Sequence, residues 1–288
     1  MKAETLNWPA PAKLNLMLHI TARRSDGYHE LQTVFQFIDV CDELRFQSNT
    51  SGRVRRLQGP AAINPDHDLV VRSAKLLQQL SGTGLGVDIE VDKRIPVGAG
   101  LGGGSSDAAT TLHALNRLWQ LDLGVEQLAD IGVKLGADVP VFVHGFAAFA
   151  EGIGERLQAI TVDESWYLLI TPQLHVSTAE IFSDPELTRD CPALKICDLS
   201  AAAWDNVCVD VVTSRYPEVD KVLKLLGIYA EAKMSGTGAS VFAAFSSEQE
   251  AAQVLTQLKT SADWSDNWQV FICRGRNQSP LFEFINTI

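Results

Sequence analysis

Apolar and polar residues alternate near the N-terminus with a period of two, which is the pattern of a half-buried β-strand. The apolar members of this run are Leu14, Leu16, Leu18 and Ile20. Further strands are predicted over residues 31–40, 43–47 and 87–91. Asp42 separates two of these predicted strands, and residues 69–80 have the spacing of a helix instead. The pattern therefore predicts a sheet in the first 95 residues.

Helices and strands are mixed in the rest of the chain. Predicted helices cover residues 107–119, 125–135, 178–183, 205–226 and 247–259. Predicted strands cover residues 146–151, 166–170, 239–245 and 270–273. A polar stretch at 161–165 precedes the apolar run that begins at Trp166 and suits a boundary between domains. We therefore expect an α+β fold of two domains, residues 1–165 and residues 166–288.

The composition of the chain is that of a folded globular protein, with 46% hydrophobic and 20% charged residues among 288. Its formal net charge of −11 has the wrong sign for a protein that neutralises a nucleic-acid backbone. Arg53, Arg55 and Arg56 form a basic cluster whose spacing fits the solvent face of a short strand. We therefore expect no nucleic-acid partner.

The cysteines and the hydropathy of the chain indicate its cellular compartment. The five cysteines, at positions 41, 191, 197, 208 and 273, form no C-x-x-C pair and have no histidine at zinc spacing. The N-terminus has no apolar run of signal-peptide length, and no stretch approaches the roughly 18 apolar residues of a membrane span. These features predict a cytoplasmic protein with reduced thiols, no membrane partner and no protein-held metal.

A glycine-rich segment at 98–104 lies between a predicted strand and a predicted helix and contains five glycines in seven positions. Glycine lets the backbone approach a ligand closely, so that successive N–H groups can point at phosphate oxygens. The N-terminus of the following helix adds unpaired donors and a positive dipole end. The segment therefore predicts a phosphate-binding loop.

The type of phosphate loop follows from what surrounds the glycines. The P-loop of Walker type is excluded, because no lysine follows the glycines. A dinucleotide fold needs a second parallel strand that ends in an acidic residue, and Asp122 has the right distance. Only residues 119–123 separate the two predicted helices, however, which leaves no room for that strand. A glycine-rich turn without a ligand stays open on these grounds.

Three further motifs carry polar groups that could serve chemistry or only structure. The turn at 235–240 is either a plain hairpin or a second backbone concavity beside the phosphates. Asp138 follows a predicted helix end and is either a turn residue or a catalytic carboxylate. Lys13 and Asn15 lie on one face of the first predicted strand, where a lone lysine is normally solvated.

Five segments together resemble the GHMP kinase superfamily, in the order in which that family has them and over nearly the whole chain. They are PAKLNL (11–16), DGYH (26–29), PVGAGLGGGSSD (96–107), LGADVP (135–140) and SGTGAS (235–240). The resemblance implies a two-domain α+β fold with an N-terminal ATP-binding domain and the active site between the domains. Two departures are Val97-Gly98-Ala99 at the start of the loop and Asp68, where relatives often carry asparagine.

The resemblance also implies a reaction. On this resemblance we expect the γ-phosphate of ATP, with Mg²⁺, to be transferred to the 2-hydroxyl of a cytidine diphosphate-linked methylerythritol, on the methylerythritol phosphate route to isoprenoids. The residues matching the catalytic pair are Lys13 and Asp138. The residues matching the ATP loop are Pro96, Val97, Gly98, Ala99, Gly100, Leu101, Gly102, Gly103, Gly104, Ser105 and Ser106.

Substrate contacts are likewise implied by the resemblance. Tyr28 and Phe182 match two aromatics that sandwich the cytosine, and His29 matches a residue that bonds the base edge. Further matching contacts are Asn15, Thr178, Gly236 and Thr237. Two alternatives stay open: a sibling kinase of the homoserine or mevalonate type, and a nucleotide-binding regulator with a dead site.

Overall fold

The computed structural model describes residues 6–61, 63–199 and 204–288. Within these residues the strands are β1 (Trp8–Arg23), β2 (His29–Asn49), β3 (Val54–Gln58), β4 (Gly86–Asp92), β5 (Ala148–Gly152), β6 (Arg156–Ala159), β7 (Trp166–Thr171), β8 (Ala232–Met234), β9 (Val241–Phe245) and β10 (Gln269–Arg276). The α-helices are α1 (Leu69–Ser81), α2 (Gly103–Leu118), α3 (Val125–Gly132), α4 (Val139–His144), α5 (Thr178–Ser183), α6 (Val209–Arg215), α7 (Pro217–Gly227), α8 (Glu248–Leu258) and α9 (Pro280–Ile285). The predicted α+β class is confirmed.

The long strand β2 organises the N-terminal half. Antiparallel β1 follows one edge of β2, while β5, β10 and β4 share the other edge in turn. The outer strands are β3, parallel to β4, and β6, antiparallel to β5. Because β2 has 21 residues, a single strand can align all of these partners.

The C-terminal strands continue the same sheet. β7 lies between β9 and β10, and β8 pairs with β9 at the far edge. The last residues of β10 reach back to β2, where Gly275 pairs with Ile38. Hydrogen bonding therefore runs from one half of the chain to the other.

Apolar packing follows the same division. One core cluster joins β2 and β4 to α1–α4, and another joins β7 and β9 to α6–α8. Helix α9 returns to the first core, where Phe284 packs edge-on against Trp8 with ring centroids 5.1 Å apart. The domain boundary at 165/166 stays a prediction. None of the described helices is both long enough and apolar enough to cross a bilayer.

The structure corrects the predicted break at Asp42. Residues 31–40 and 43–47 belong to one strand, and Asp42 is fully buried inside it. Its Oδ1 accepts hydrogen bonds from the backbone N–H groups of Arg94 and Ile95, at 2.6 and 2.8 Å, and its Oδ2 accepts one from Lys93. A buried carboxylate that is fully bonded does not end a strand.

Two helical predictions also differ from the structure around prolines. The helix predicted over 205–226 is divided at Tyr216, because the residue before a proline is disfavoured in the α region and Pro217 starts α7. No helix was predicted directly after Asp138, yet Pro140 lies in the first turn of α4. Proline is tolerated there, since a first-turn N–H has no partner within the helix.

Candidate active site

A cavity of about 490 Å³ lies between the two halves of the chain and collects most of the predicted site residues. The glycine-rich loop supplies residues 96–100 and 102–105 of its lining. The other predicted residues in the lining are Lys13, Asn15, Asp138, Thr178, Phe182, Gly236 and Thr237. Four predicted residues are not part of the lining: Tyr28, His29, Leu101 and Ser106.

The glycine-rich loop follows β4 and ends at the N-terminus of α2. The N-cap residue Gly102 has no side chain to bond the first turn, so the leading N–H groups of α2 stay available beside the cavity. Such donors, together with the helix dipole, bind anions. Leu101 and Ser106 are buried, with Leu101 in an apolar cluster between the halves, so these two support the loop from behind.

The second glycine-rich turn packs directly against the first. At Gly100, where φ is +76°, an added Cβ would lie 2.1 Å from the backbone oxygen of Ser235. Ser235 Oγ donates to Gly100 O at 2.8 Å, and Ser240 N donates to Ala99 O at 3.2 Å. The turn at 235–240 joins the antiparallel strands β8 and β9. It is therefore both a hairpin and a wall of the cavity.

Lys13 projects from β1 toward the loop and is nearly inaccessible to solvent, with 3% exposure. Its Nζ donates to Gly100 O at 3.1 Å and to Asn15 Oδ1, which places both side chains on one face of the strand as predicted. Asn15 is held in turn, because its Nδ2 donates to Thr33 Oγ1 at 2.8 Å. Burial lowers the pKa of Lys13, and the nearby carboxylate of Asp138 opposes that shift.

Asp138 lies 3.5 Å from Lys13, measured from Oδ2 to Nζ, although the two residues are far apart in sequence. It occupies the N-cap position of α4, where an aspartate usually bonds the first turn, but its side chain makes no such bond. The carboxylate is 36% exposed and lines the cavity. An acceptor that is not used for capping is available to a ligand.

The far end of the cavity is built from side chains of α5 and the neighbouring turns. Thr178 Oγ1 lies 2.9 Å from Thr237 Oγ1, which joins α5 to the second glycine-rich turn. The ring of Phe182 stacks on that of His29, with centroids 5.3 Å apart and 22° between the planes. His29 is 8% exposed, whereas Tyr28 is 59% exposed on the preceding turn.

A buried charged cluster behind the loop was missed from sequence. Lys93 Nζ donates to Asp42 Oδ2 at 2.5 Å and to Asp107 Oδ2 at 2.8 Å, and both Lys93 and Asp107 line the cavity. Burial raises the pKa of Asp107 to about 8, with Lys93 opposing and Asp42 adding to the shift. Burial lowers the pKa of Lys93, but the two carboxylates together raise it above its ordinary value. The signal was present in sequence, since Lys93 and Asp107 flank the glycines.

Arg56 corrects the expectation of a solvated basic face. Its side chain is 7% exposed, pairs with Asp68, and donates to Ile63 O at 2.8 Å. Asp68 Oδ1 accepts from Val70 N at 3.1 Å and so caps α1. Arg55 does face outward, where it pairs with Asp88. The alternation of the strand therefore directs Arg56 inward, toward a turn that lines the cavity.

Comparison with known proteins identifies the class. The family model described as GHMP kinases N terminal domain matches residues 68–146, and the one described as GHMP kinases C terminal matches residues 194–263. The chain belongs to the GHMP kinases. It is a kinase with the fold that this family shares.

Individual relatives narrow the comparison. A protein of Shewanella sp. (strain W3-18-1) named 4-diphosphocytidyl-2-C-methyl-D-erythritol kinase is 54% identical over 281 residues, which are 97% of each chain. The crystal structure of a 4-(cytidine 5'-diphospho)-2C-methyl-D-erythritol kinase superposes with a TM-score of 0.79 at 32% identity, covering 94% of this chain and 100% of that one. A homoserine kinase from Cytophaga hutchinsonii has a TM-score of 0.71 at 18% identity, covering 96% of this chain and 97% of that one, and shares the fold.

Proposed function

We propose that the chain transfers the γ-phosphoryl group of ATP to the 2-hydroxyl of 4-diphosphocytidyl-2-C-methyl-D-erythritol, a step of the methylerythritol phosphate route to isoprenoids. The observation that carries the proposal is the Lys13–Asp138 pair, 3.5 Å apart, on the wall of a cavity that a glycine-rich loop also lines. The names of the relatives supply the substrate.

The catalytic pair accounts for the proton and the charge. Asp138 accepts the proton of the 2-hydroxyl as that oxygen bonds to the γ-phosphorus and the bond to the leaving ADP breaks. Lys13, as a nearby cation, favours the ionised form of Asp138 and offsets the negative charge that develops on the transferred group. Asn15 holds Lys13 in place, since its Oδ1 accepts from Nζ.

The nucleotide end fits a polyphosphate. Gly100 lies so close to the backbone of Ser235 that no side chain fits between them, and the N-terminus of α2 lines the same cavity. The described residues contain no group of three or more His, Cys, Asp or Glu side chains that could hold a metal. Mg²⁺ would therefore be carried mainly by phosphate oxygens, with Asp138 or Ser105 as a neighbour, and would neutralise phosphate charge.

The substrate end suits a nucleobase. Phe182 and Tyr28 are the aromatics available for stacking, and His29 offers a hydrogen bond to the base edge. Thr178, Gly236 and Thr237 line the space between this end and the loop, where they would face the diphosphate and the methylerythritol.

The test is direct phosphorylation. The purified protein with Mg-ATP should convert 4-diphosphocytidyl-2-C-methyl-D-erythritol to its 2-phosphate, as followed by ³¹P NMR. Homoserine and mevalonate should not be phosphorylated, and cytidine diphosphate should compete with the substrate. A folded protein that phosphorylates homoserine or mevalonate instead would show a sibling activity. One that gives no product in a single turnover would be a nucleotide-binding regulator.

A further inference from the structure

Arg189 lies behind the substrate end and joins two of its walls. Its guanidinium makes four recorded hydrogen bonds, one of them from Nε to His29 Nε2 at 3.1 Å. The other three are to backbone carbonyls: Nη1 donates to Leu187 O at 2.9 Å, and Nη2 donates to Phe182 O at 2.9 Å and to Asp184 O at 2.6 Å. One side chain therefore fixes both His29 and the end of α5 that carries Phe182.

The contact with His29 determines where the imidazole carries its proton. A guanidinium has only N–H donors and stays protonated, so Nε2 of His29 must present its lone pair. The neutral ring then has its proton on Nδ1, because the charged ring would set one N–H against another. Among the described residues no hydrogen-bond partner of Nδ1 is recorded, so this N–H is free for a ligand.

The charges around His29 also favour the neutral form of its ring. Burial lowers its pKa, and the positive charges of Arg189 and Arg23 lower it further. Asp26 and Glu30 pair with Arg24, and Asp184 pairs with Arg215. The charged groups that shift the pKa of His29 are both arginines, which favours the neutral imidazole.

We propose that Arg189 is a positioning residue, which holds His29 as the neutral tautomer protonated on Nδ1 and seats its ring against Phe182. The substrate end then presents one hydrogen-bond donor of fixed direction to an acceptor on the nucleobase. The proposal rests on the proposed function only because it takes the substrate end of the cavity as the binding site of the nucleobase.

The tautomer can be measured without substrate. Histidine labelled with ¹⁵N distinguishes the two ring nitrogens in long-range ¹H–¹⁵N spectra, and His29→Gln identifies the signal among the six histidines. The ligand-free protein should show His29 protonated on Nδ1, with a pKa below that of an ordinary histidine. In Arg189→Met the pKa of the same ring should rise, because one of the two positive charges that lower it is removed while burial remains. A wild-type ring that carries its proton on Nε2, or a pKa that does not rise in Arg189→Met, overturns the proposal.

Kinetic measurements distinguish two roles for Arg189: positioning of His29, and structural support of the loop alone. Arg189→Met should raise the KM for the cytidylated substrate about tenfold, a loss typical of one charged hydrogen bond, and most strongly below about pH 6.5. The KM for ATP and the kcat should change less than about twofold. Arg189→Lys keeps the charge and a donor, so its KM should stay nearly independent of pH.

The matched control is Arg215→Met. Arg215 binds Asp184 on the same loop but is not recorded in contact with His29, so its loss loosens the loop alone. This control should leave the tautomer of His29 and the pH profile unchanged. If both methionine variants raise the KM equally at all pH values, Arg189 is merely structural and the proposal fails. If Arg189→Met does not fold, the wild-type spectrum and Arg189→Lys still decide.

Discussion

The two ends of the cavity are built in different ways. The phosphate end is made of backbone on backbone, with Gly100 against the oxygen of Ser235, and is backed by buried residues such as Leu101. The substrate end is made of side chains on a turn and on the six-residue helix α5, and Tyr28 there is 59% exposed. Recognition of phosphate needs only N–H groups held in place, whereas recognition of a base needs particular side chains. We therefore expect substitutions to damage the first end through geometry and the second through lost contacts.

The largest effect should come from Asp138→Asn. Asp138 lies between the two ends of the cavity, and this substitution removes the catalytic base that the reaction needs. The kcat should fall about 10²–10⁴-fold, because an amide cannot take the substrate proton. The KM for ATP should change little, since the loop is untouched. Steady-state and single-turnover assays measure both constants.

Asp122→Asn is the control, since Asp122 is an exposed residue of the segment between α2 and α3. It should behave as wild type. A kcat near normal in Asp138→Asn would remove this residue from the role of base.

Gly100→Ala should have the next largest effect, and it tests the phosphate end of the cavity. A Cβ would lie 2.1 Å from Ser235 O, so both loops must move apart, and the KM for ATP should rise at least about a hundredfold. Gly82→Ala is the matched control, because Gly82 has a φ of +69° but nothing within 4 Å of its Cβ.

Both variants carry the strain of a left-handed residue, about 1–2 kcal/mol in the free energy of unfolding. Only Gly100→Ala should also weaken ATP binding, as measured by calorimetry. Equal ATP affinities in the two variants would show that the close contact between the loops does not shape the nucleotide site.

Phe182→Ala tests the substrate end and should have a smaller effect. Loss of stacking on a base amounts to about 1–3 kcal/mol, which corresponds to a rise of roughly 5- to 150-fold in the KM for the cytidylated substrate. The KM for ATP should not change. Tyr28→Ala should give a similar rise without loss of stability, since Tyr28 is exposed. An unchanged KM in Tyr28→Ala would contradict a cytosine sandwiched by both rings.

The same contrast explains what could be predicted from sequence. The loop at 98–104 was predictable, because glycines between a strand and a helix have few other uses, and Lys13 with Asp138 followed from the family resemblance. The proximity of Lys13 to Asp138 was not predictable, since it depends on how β1 and α4 both pack against α2. Arg56 and Arg189 were missed for another reason. From sequence, a charged residue on a polar stretch is predicted to face solvent. Its partner, Asp68 for Arg56 and His29 for Arg189, becomes known only when the fold brings the two together.

The smallest effect concerns Asp107, whose charge lies behind the loop. Its pKa of about 8 lies above the ordinary value of 3.8, so folding takes up a proton and this contribution to stability is lost as the pH rises through that interval. At high pH two carboxylates then share the single ammonium of Lys93, which leaves a net negative charge beside the site for polyphosphate.

Asp107→Asn keeps the shape of the side chain but cannot ionise. Its stability relative to wild type should therefore increase from pH 6 to pH 9, as measured by urea denaturation, and the KM for ATP should rise with pH only in wild type. Asp122→Asn again serves as the exposed control. Parallel pH profiles for Asp107→Asn and wild type would mean that Asp107 is already ionised at neutral pH. In that case the cluster of Asp42, Lys93 and Asp107 would carry the same net negative charge over the whole pH range, and it would give the KM for ATP no pH dependence.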